Sequence, residues 1–331
     1  MNSNEPSVVD LESLKKSKQL ISVIVPVMNE EGNVETAYEA IVAELQKHSD
    51  LDYEIIFTDN ASTDNTFAKL SQLASQNPRV RVLRFARNFG FQNSILTGYR
   101  FAKGDAAIQI DCDLEDPPSV FSEFIRLWRE GHDVVIGIRA QRIEARHMIF
   151  IRRTYYKILD CISNTPHKVD AGDFRLVDRH ILNQLKNINE AQPYVRGIIS
   201  ELAKNQIGIT YQRSKRQFGE SKFPFRQLVK LSIEGIFAYS TMPLRLATYF
   251  GTLIAMLTTL MIGVYLIFHL FFSNKIPPGF TTTTILILFG ISLNALFLGI
   301  IGEYIGRIYN QVRNRPNVVI AKALNIDLQD S

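Results

Sequence analysis

Short apolar runs alternate with amphipathic stretches through the first 140 residues of the chain. The apolar runs have the length and the Val and Ile content of buried strands, and they cover residues 21–26, 53–58, 80–85, 106–110 and 133–137. The stretches between them repeat apolar residues at helical spacing, and they cover residues 34–47, 65–74, 92–102 and 119–130. Strands that alternate with helices predict an α/β fold with a doubly wound, mostly parallel sheet.

The last third of the chain contains two long stretches without acidic or basic residues. Residues 246–274 have no Asp, Glu, Lys or Arg, and residues 276–302 are also uncharged. Each stretch is longer than the roughly 20 residues that cross a bilayer core. Two buried helices of a soluble core are the alternative. The length of the stretches and their adjacency favour two C-terminal transmembrane helices that form a hairpin over residues 245–305.

Basic residues flank this hairpin at its two outer ends. Three precede the first stretch and three follow the second, namely Arg226, Lys230, Arg245, Arg307, Arg313 and Arg315. Only Lys275 lies between the stretches, so the positive-inside rule places both termini and the N-terminal domain in the cytoplasm. Residues 223–244 mix apolar and basic residues and predict an amphipathic helix at the membrane interface. A helix packed on the soluble domain is the alternative.

Composition narrows the setting of the protein. Two cysteines, Cys112 and Cys161, give no disulfide framework, which indicates a reducing compartment. The first 17 residues are polar, so no signal peptide is expected. The net charge of +4 is too small to indicate a nucleic-acid partner.

A stripe of small residues lies along the second uncharged stretch. Ala295, Gly299, Gly302 and Gly306 are three or four residues apart, a spacing that lets helix backbones approach closely in lipid. The stripe serves packing inside the hairpin as well as packing between copies. We expect a homo-oligomer, because a two-span anchor leaves much helix surface free.

A pair of carboxylates follows the apolar run at 106–110. Asp111 and Asp113 are one residue apart, so in an extended chain their side chains point the same way. Two such oxygen donors hold a divalent cation that bridges diphosphate oxygens. Acidic residues also cap helices at this spacing, and Asp116-Pro117-Pro118 has the pattern of a helix start.

Seven short blocks along the chain carry a resemblance to a known family. The blocks are Val25-Pro26-Val27-Met28-Asn29-Glu30-Glu31, Thr58-Asp59-Asn60-Ala61-Ser62-Thr63-Asp64, Arg87-Asn88-Phe89-Gly90, Asp111-Cys112-Asp113-Leu114-Glu115-Asp116-Pro117-Pro118, Ala171-Gly172-Asp173-Phe174-Arg175-Leu176, Tyr194-Val195-Arg196-Gly197, and the segment from Arg213 to Phe223. The two uncharged stretches follow these blocks in the sequence. On the blocks and the stretches together, the chain resembles family 2 glycosyltransferases of the polyprenyl-phosphate branch. That branch includes bactoprenol glucosyltransferases and dolichyl-phosphate mannose synthases, and the two-span tail is similar to the former.

The resemblance implies a GT-A-like nucleotide-sugar domain and a division of the chain into five parts. These are a polar leader at 1–18, a cytoplasmic glycosyltransferase domain at 19–222, an interfacial segment at 223–244, the hairpin at 245–305 and a cytoplasmic tail at 306–331. The implied reaction transfers one sugar from a nucleotide-sugar donor, with UDP-glucose favoured, to polyprenyl (undecaprenyl) phosphate, with inversion. Alternatives are the same reaction with mannose, GlcNAc or aminoarabinose, and a catalytically inactive membrane scaffold.

The resemblance also assigns the donor side of the site. Pro26, Met28 and Glu30 would line the nucleotide pocket, and Asp59 would accept a hydrogen bond from the base. Glu30 could instead be a helix N-terminal charge, and Asp59 the acceptor of a local turn. Asp111 and Cys112 would lie beside the nucleotide sugar.

Further assignments concern the metal and the reacting groups. Asp111, Asp113 and Glu115 would hold Mg²⁺ or Mn²⁺ on the diphosphate, although Glu115 replaces the Gln that is common in the family. Asp173, as part of a Gly-Asp-Phe-Arg turn, would act as a general base or as a positioning group. Its alternative is a buried partner of Arg175.

Basic side chains are assigned to the lipid phosphate, because an Arg fork donates two hydrogen bonds to a phosphate. The candidates are Arg139, Arg152, Arg196, Arg213, Arg216 and Lys222. Phe91 stands where the family often has Lys, which leaves the identity of the sugar open. A processive polysaccharide synthase is disfavoured, because the single Trp of the chain, Trp128, does not lie in a Gln-x-x-Arg-Trp block after Asp173.

Overall fold

The computed structural model of the protein describes residues 18–140, 171–191, 193–212, 279–313 and 315–328, together with separate positions between 247 and 267. The chain divides into two compact units. The first contains residues 1–142, 168–219 and 316–331, and the second contains residues 143–167 and 220–315.

The first unit is built on an eight-stranded mixed sheet with helices on both faces. Its strands are β1 (Gln19–Val27), β2 (Leu51–Asp59), β3 (Val80–Phe85), β4 (Ala106–Gln109), β5 (Val134–Arg139), β6 (Ala171–Asp178), β7 (Gln206–Tyr211) and β8 (Ile320–Leu324). Its helices are α1 (Val34–Leu45), α2 (Thr66–Gln76), α3 (Phe91–Phe101), α4 (Phe121–Arg129), α5 (Arg179–Leu185) and α6 (Val195–Leu202). The strand order is β7-β5-β6-β4-β1-β2-β3-β8, and four of the seven neighbouring pairs are parallel.

Burial on both faces of the sheet explains the continuous apolar runs. In β1, Val23 and Val25 point into the core beneath α1, α2 and α4, whereas Ile24 points into the core beneath α3, α5 and α6. A strand covered on both faces has no solvent side and therefore no polar alternation. The strands predicted from these runs are confirmed, with boundaries that differ by one or two residues.

Strand β6 corrects the expectation of a turn around Asp173. The segment forms an antiparallel strand inserted between β4 and β5. Phe174 and Leu176 pack into the core on one face, and the intervening residues Asp173 and Arg175 are also buried. The turn was expected because Gly172 and Asp173 are residue types that favour turns.

The C-terminal segment, expected as a tail, contributes strand β8 to the sheet. It pairs antiparallel with β3, so that Val82 lies opposite Leu324 and Arg84 opposite Lys322. The side-chain amide of Asn325 donates to the carbonyl oxygens of Ala74 and Val80, at 2.8 Å each. This strand covers the edge of β3, which would otherwise present unpaired backbone groups.

We expect Asn325 to be a measurable anchor of the sheet edge. Its φ of +56° is a left-handed conformation that Ala adopts poorly, and its side chain donates two hydrogen bonds to the backbone. Asn325→Ala should lower the free energy of unfolding by about 2 kcal/mol, measured by chemical denaturation. Asn325→Gly keeps the backbone conformation and should recover about half of that loss. Equal stability of the Asn325→Ala variant and the parent protein would contradict this role.

The second unit contains the long helix α7 (Phe280–Val312), which continues beyond the predicted second span. A Cβ added at Gly251 would lie 3.4 Å from the ring of Phe297, so Gly251 lies against α7. Most of the predicted first span, the leader and the segment at 223–244 lie outside the described residues. Within the residues that are described, no helix is both long enough and apolar enough to cross a membrane.

Candidate active site

The carboxyl ends of three parallel strands meet at one edge of the sheet. β4, β1 and β2 are direct neighbours, so the loops that follow them open at the same place. Each loop contains a non-glycine residue with left-handed backbone, namely Asn29 (φ 57°), Ala61 (φ 61°) and Leu114 (φ 52°). Strained backbone of this kind concentrates at functional sites, because it is retained where a side chain or amide must be held in one place.

Asp59 ends β2 and is completely buried. Its Oδ1 accepts from the amide of Ser62 at 2.9 Å, as the local-turn alternative predicted. Its Oδ2 lies 3.5 Å from Nε of Arg84 and has no hydrogen-bond partner among the described residues. One carboxylate oxygen therefore shapes the loop, while the other remains able to accept a hydrogen bond. The assignment of Asp59 to the base stays a prediction.

Glu30 and Pro26 lie on the other side of this edge. The amide of Glu30 donates to Thr66 Oγ1 at 2.8 Å, and its carboxylate accepts from Asn33 Nδ2 at 2.6 Å. Glu30 therefore sits at the start of α1, where a negative charge is favourable. Pro26 is buried in β1 opposite Thr58, whose hydroxyl has no partner in the described part of the chain.

A pair of asparagines, Asn60 and Asn88, joins the loop after β2 to the loop after β3. Both residues belong to the sequence blocks, but the blocks did not reveal this role. Asn60 Nδ2 donates to Asn88 Oδ1 at 2.9 Å, and Asn60 Oδ1 accepts from the amide of Phe89 at 2.8 Å. Asn88 in turn donates to the sulfur of Met28 at 3.2 Å. Met28 is 44% exposed, so a large apolar side chain is held open to solvent beside this network.

Four carboxylates cluster where β4 ends. Asp113, Asp116 and Asp173 are close enough to Asp111 to act on its charge. Burial, followed by the repulsion of Asp173, Asp116 and Asp113, raises the pKa of Asp111 to about 7. Gln109 Nε2 opposes this effect by donating to Asp111 Oδ1 at 2.9 Å. The arrangement brings four carboxylates close together at the end of β4, two of which, Asp116 and Asp173, are paired with arginines.

Cys112 lies between two of these acids but turns the other way. Its side chain is buried in the core on the α1 face, and burial raises the pKa of its thiol. A thiol in this position is neither a nucleophile nor a metal ligand. Only the backbone of Cys112 is therefore placed to contact a nucleotide sugar.

Asp116 is bound by partners on β5 and β7. Arg139 donates to it through Nε at 3.3 Å and through a terminal nitrogen at 3.0 Å. The hydroxyl of Tyr211 also donates to Asp116. Arg139, predicted to bind the lipid phosphate, thus directs its guanidinium fork to a buried carboxylate, and its predicted role remains untested.

Asp173 is paired with Arg196, which lies in the first turn of α6. Arg196 Nε donates to Asp173 Oδ1 at 2.6 Å, and a terminal nitrogen of Arg196 donates to Oδ2. Burial alone would raise the pKa of Asp173, but the two hydrogen bonds and the charge of Arg196 hold it below its usual value. Arg175, the partner considered from the sequence, donates to the carbonyl of Gly172 at 2.8 Å and acts on Asp173 only through its charge.

The three predicted metal ligands, Asp111, Asp113 and Glu115, do not by themselves form a metal-binding site in the structure. Among the described residues, no three Asp, Glu, His or Cys side chains converge closely enough to enclose a metal ion. The chain turns at Leu114, between Asp113 and Glu115, and the amide of Glu115 donates to Asp113 Oδ1 at 3.2 Å. Asp111 and Asp113 offer two carboxylates, which is too few to enclose a metal ion without ligands from elsewhere. Arg152, Arg213, Arg216 and Lys222 lie outside the described residues.

Comparison with known proteins identifies the family of this chain. The Glycosyl transferase family 2 profile matches residues 22–186. The SfII prophage-derived bactoprenol glucosyl transferase of Shigella flexneri is 36% identical over 304 residues, which cover 92% of this chain and 98% of that protein. The uncharacterized glycosyltransferase YkcC of Bacillus subtilis is 36% identical over 310 residues, with 92% and 94% covered.

The chain therefore belongs to glycosyl transferase family 2. Among solved structures, glucosyl-3-phosphoglycerate synthase from Mycobacterium tuberculosis, in complex with Mn²⁺, UDP and glucosyl-3-phosphoglycerate, is 22% identical. That likeness covers 71% of this chain and 84% of that one, with a TM-score of 0.43.

Proposed function

We propose that the protein transfers one glucosyl group from UDP-glucose to polyprenyl phosphate and releases UDP. The observation that carries the proposal is the acidic cluster at the end of β4, directly beside the loops that follow β1 and β2. Relatives named bactoprenol glucosyl transferase match this chain over more than nine-tenths of its length, which supports a lipid phosphate as the acceptor.

A divalent cation, Mg²⁺ or Mn²⁺, would be held jointly by Asp111, Asp113 and the diphosphate of the donor. When bound, it supplies positive charge that neutralises the departing UDP. The high local density of carboxylates fits this task, because the acids repel one another until a cation is present.

The acceptor needs little help to react. A phosphate monoester is already an anion near neutral pH, so one of its oxygens can attack the anomeric carbon directly. The new C–O bond forms as the bond to the β-phosphate breaks, which inverts the configuration. Asp173 is fixed in a bidentate pair and its lowered pKa makes it a weak base, so we assign it a positioning role.

The membrane part of the proposal is that the enzyme works at the cytoplasmic face of the membrane, anchored through residues 245–305. Support comes from the two uncharged stretches and from α7, where large apolar side chains such as Leu298 and Ile291 are 67% and 60% exposed. A Cβ added at Gly299, Gly302 or Gly306 meets no atom of the described residues within 4 Å. A stripe of small residues permits close contact between copies, so we propose a homo-oligomer.

A donor screen tests the function directly. Purified protein in detergent is given undecaprenyl phosphate, Mn²⁺ and one radiolabelled nucleotide sugar at a time, and label in the lipid fraction is counted. We expect UDP-glucose to give the fastest transfer, ahead of UDP-GlcNAc and GDP-mannose. Transfer from another donor alone would correct the sugar. Nucleotide binding without any transfer would favour the inactive scaffold.

The acceptor side has its own test. Arg213→Ala and Arg216→Ala should each raise the KM for polyprenyl phosphate about tenfold, because each removes one charge-assisted contact with the phosphate. The affinity for UDP should stay unchanged. Arg79→Ala, at an exposed arginine paired with Asp52 outside the site, is the matched control. Parent-like acceptor kinetics in both variants would exclude these two arginines from the lipid site.

The processive alternative finds no support at Trp128. This residue is buried, and its indole N–H donates to Asp178 at 2.7 Å. The only tryptophan of the chain therefore serves the packing of α4 and does not bind a growing sugar chain.

A further inference from the structure

Gln109 is the only polar residue of β4, whose other residues are Ala106, Ala107 and Ile108. It is completely buried on a strand that lies between β1 and β6. A buried amide that lacks part of its hydrogen bonding is destabilising, and an apolar side chain would avoid that loss. The position therefore calls for a use that an apolar residue cannot serve.

The amide of Gln109 holds the carboxylate of Asp111. Its Nε2 donates to Asp111 Oδ1 at 2.9 Å. An ionised carboxylate only accepts hydrogen bonds, so the NH₂ end must face Asp111 and the carbonyl end must face away. That carbonyl oxygen is buried, and it has no hydrogen-bond partner within the part of the chain that the structure describes.

Arg175 is the neighbour of Gln109 on the adjacent strand. The two residues are register partners in the antiparallel β4–β6 pair, so their side chains leave the sheet on the same face. Arg175 is also buried, and its charge acts on Asp173. Gln109 is thus flanked by the carboxylate of Asp111, two residues beyond the end of its own strand, and by Arg175 on the neighbouring strand.

The electrostatics explain why Asp111 needs such a partner. Asp113, Asp116 and Asp173 all repel its carboxylate, and repulsion favours a rotamer that turns it away from the cluster. A donor fixed on Oδ1 sets the carboxylate plane and leaves Oδ2 for another ligand. A neutral amide does this without adding a positive charge that would compete with a cation.

We propose that Gln109 is a positioning residue that orients Asp111 toward the divalent cation on the donor diphosphate. The inference rests on the proposed function, because it assumes that Asp111 binds this cation. Loss of Gln109 should therefore weaken the binding of the cation and leave the affinity for the nucleotide without metal unchanged.

The test measures Mn²⁺ binding rather than activity. Full-length protein saturated with UDP is titrated with MnCl₂ in a calorimeter, and Gln109→Met is compared with the parent. Met keeps the length and volume of Gln but cannot donate, so the Kd for Mn²⁺ should rise about tenfold or more. The Kd for UDP without metal should not change. Thr97→Val removes a buried hydrogen bond made only to the helix carbonyl of Asn93, and should leave Mn²⁺ binding unaltered.

A double variant separates positioning from a general loss of structure. If Gln109 acts through Asp111, then Asp111→Asn combined with Gln109→Met should bind Mn²⁺ no more weakly than Asp111→Asn alone. Additive losses would overturn the proposal, as would a parent-like Mn²⁺ affinity in folded Gln109→Met. Should that variant not fold, Gln109→Asn keeps a buried amide that is one methylene too short to reach Asp111. A parent protein that binds UDP but no Mn²⁺ would refute the metal site itself. If the parent binds Mn²⁺ and Gln109→Met binds it equally well, only the role of Gln109 is refuted.

Discussion

Replacing Asp113 with Asn should abolish sugar transfer. The change keeps the shape of the side chain but removes one of the two negative charges proposed to hold the cation. Without the cation, the charge that develops on departing UDP is not neutralised. We expect kcat to fall at least about a thousandfold in saturating Mn²⁺, which corresponds to about 4 kcal/mol of lost transition-state stabilisation. The rate of label transfer to the lipid measures it.

A matched carboxylate lies at the opposite end of the same strand. Asp105 precedes β4, is exposed, and accepts from the amide of Leu20 at 2.8 Å. Asp105→Asn should transfer sugar at the parent rate, because it changes the charge of the domain equally but lies at the other edge of the sheet. Full activity of the parent in excess chelator, or parent-like turnover by Asp113→Asn, would exclude the metal-dependent reaction.

The part of the fold predicted from sequence is the part whose residues are buried on both faces. Each run from β1 to β5 is apolar because helices cover both sides of the sheet, and a run of that kind reveals a strand without knowledge of its partners. The same alternation of strands and helices predicts that the ends of β1, β2 and β4 lie together.

Three strands escaped prediction, namely β6, β7 and β8, and two of them, β6 and β8, depend on distant partners. β6 contains two buried charged residues, Asp173 and Arg175, whose hydrogen bonds reach Arg196, Gln92 and the carbonyl of Gly172. β8 joins the sheet beside β3, more than 200 residues earlier in the chain. Local periodicity contains no information about a partner at that separation.

The sequence predicted which residues form the site better than it predicted which of their side chains bond to one another. Motif resemblance located Asp111, Asp113 and Asp173, but it assigned Arg196 to the lipid and did not reveal that this arginine pairs with Asp173. Pairing depends on how α6 packs against the sheet, which short blocks do not encode. Gln109 was hidden for a related reason, because one polar residue in an apolar run does not alter the prediction of a strand.

Removing the charge of Asp173 should lower both the rate of sugar transfer and the stability of the protein. Asp173→Asn leaves Arg196 with a neutral partner, and we expect sugar transfer to fall about a hundredfold or more while UDP binding stays at the parent value. The free energy of unfolding should fall by about 2 kcal/mol, less than for a fully buried pair because Arg196 is partly exposed. Glu123→Gln, which breaks a surface pair with Arg126, should cost less than about 0.5 kcal/mol.

The double variant Asp173→Asn with Arg196→Met decides what the pair contributes. Removing both partners leaves neither of them as an unpaired charge, so stability should recover in part relative to Asp173→Asn, whereas transfer should not.

The pH dependence gives a second readout. The folded pKa of Asp173 lies below its unfolded value of about 3.9, so the pair stabilises the protein above that pH and loses its effect as the pH falls through the lowered pKa. The double variant should therefore lose less stability than the parent between pH 5 and pH 2, roughly the range of that titration. Recovery of transfer in the double variant would show that Asp173 serves only to neutralise Arg196, and identical acid unfolding curves would show that the pair does not hold the native state.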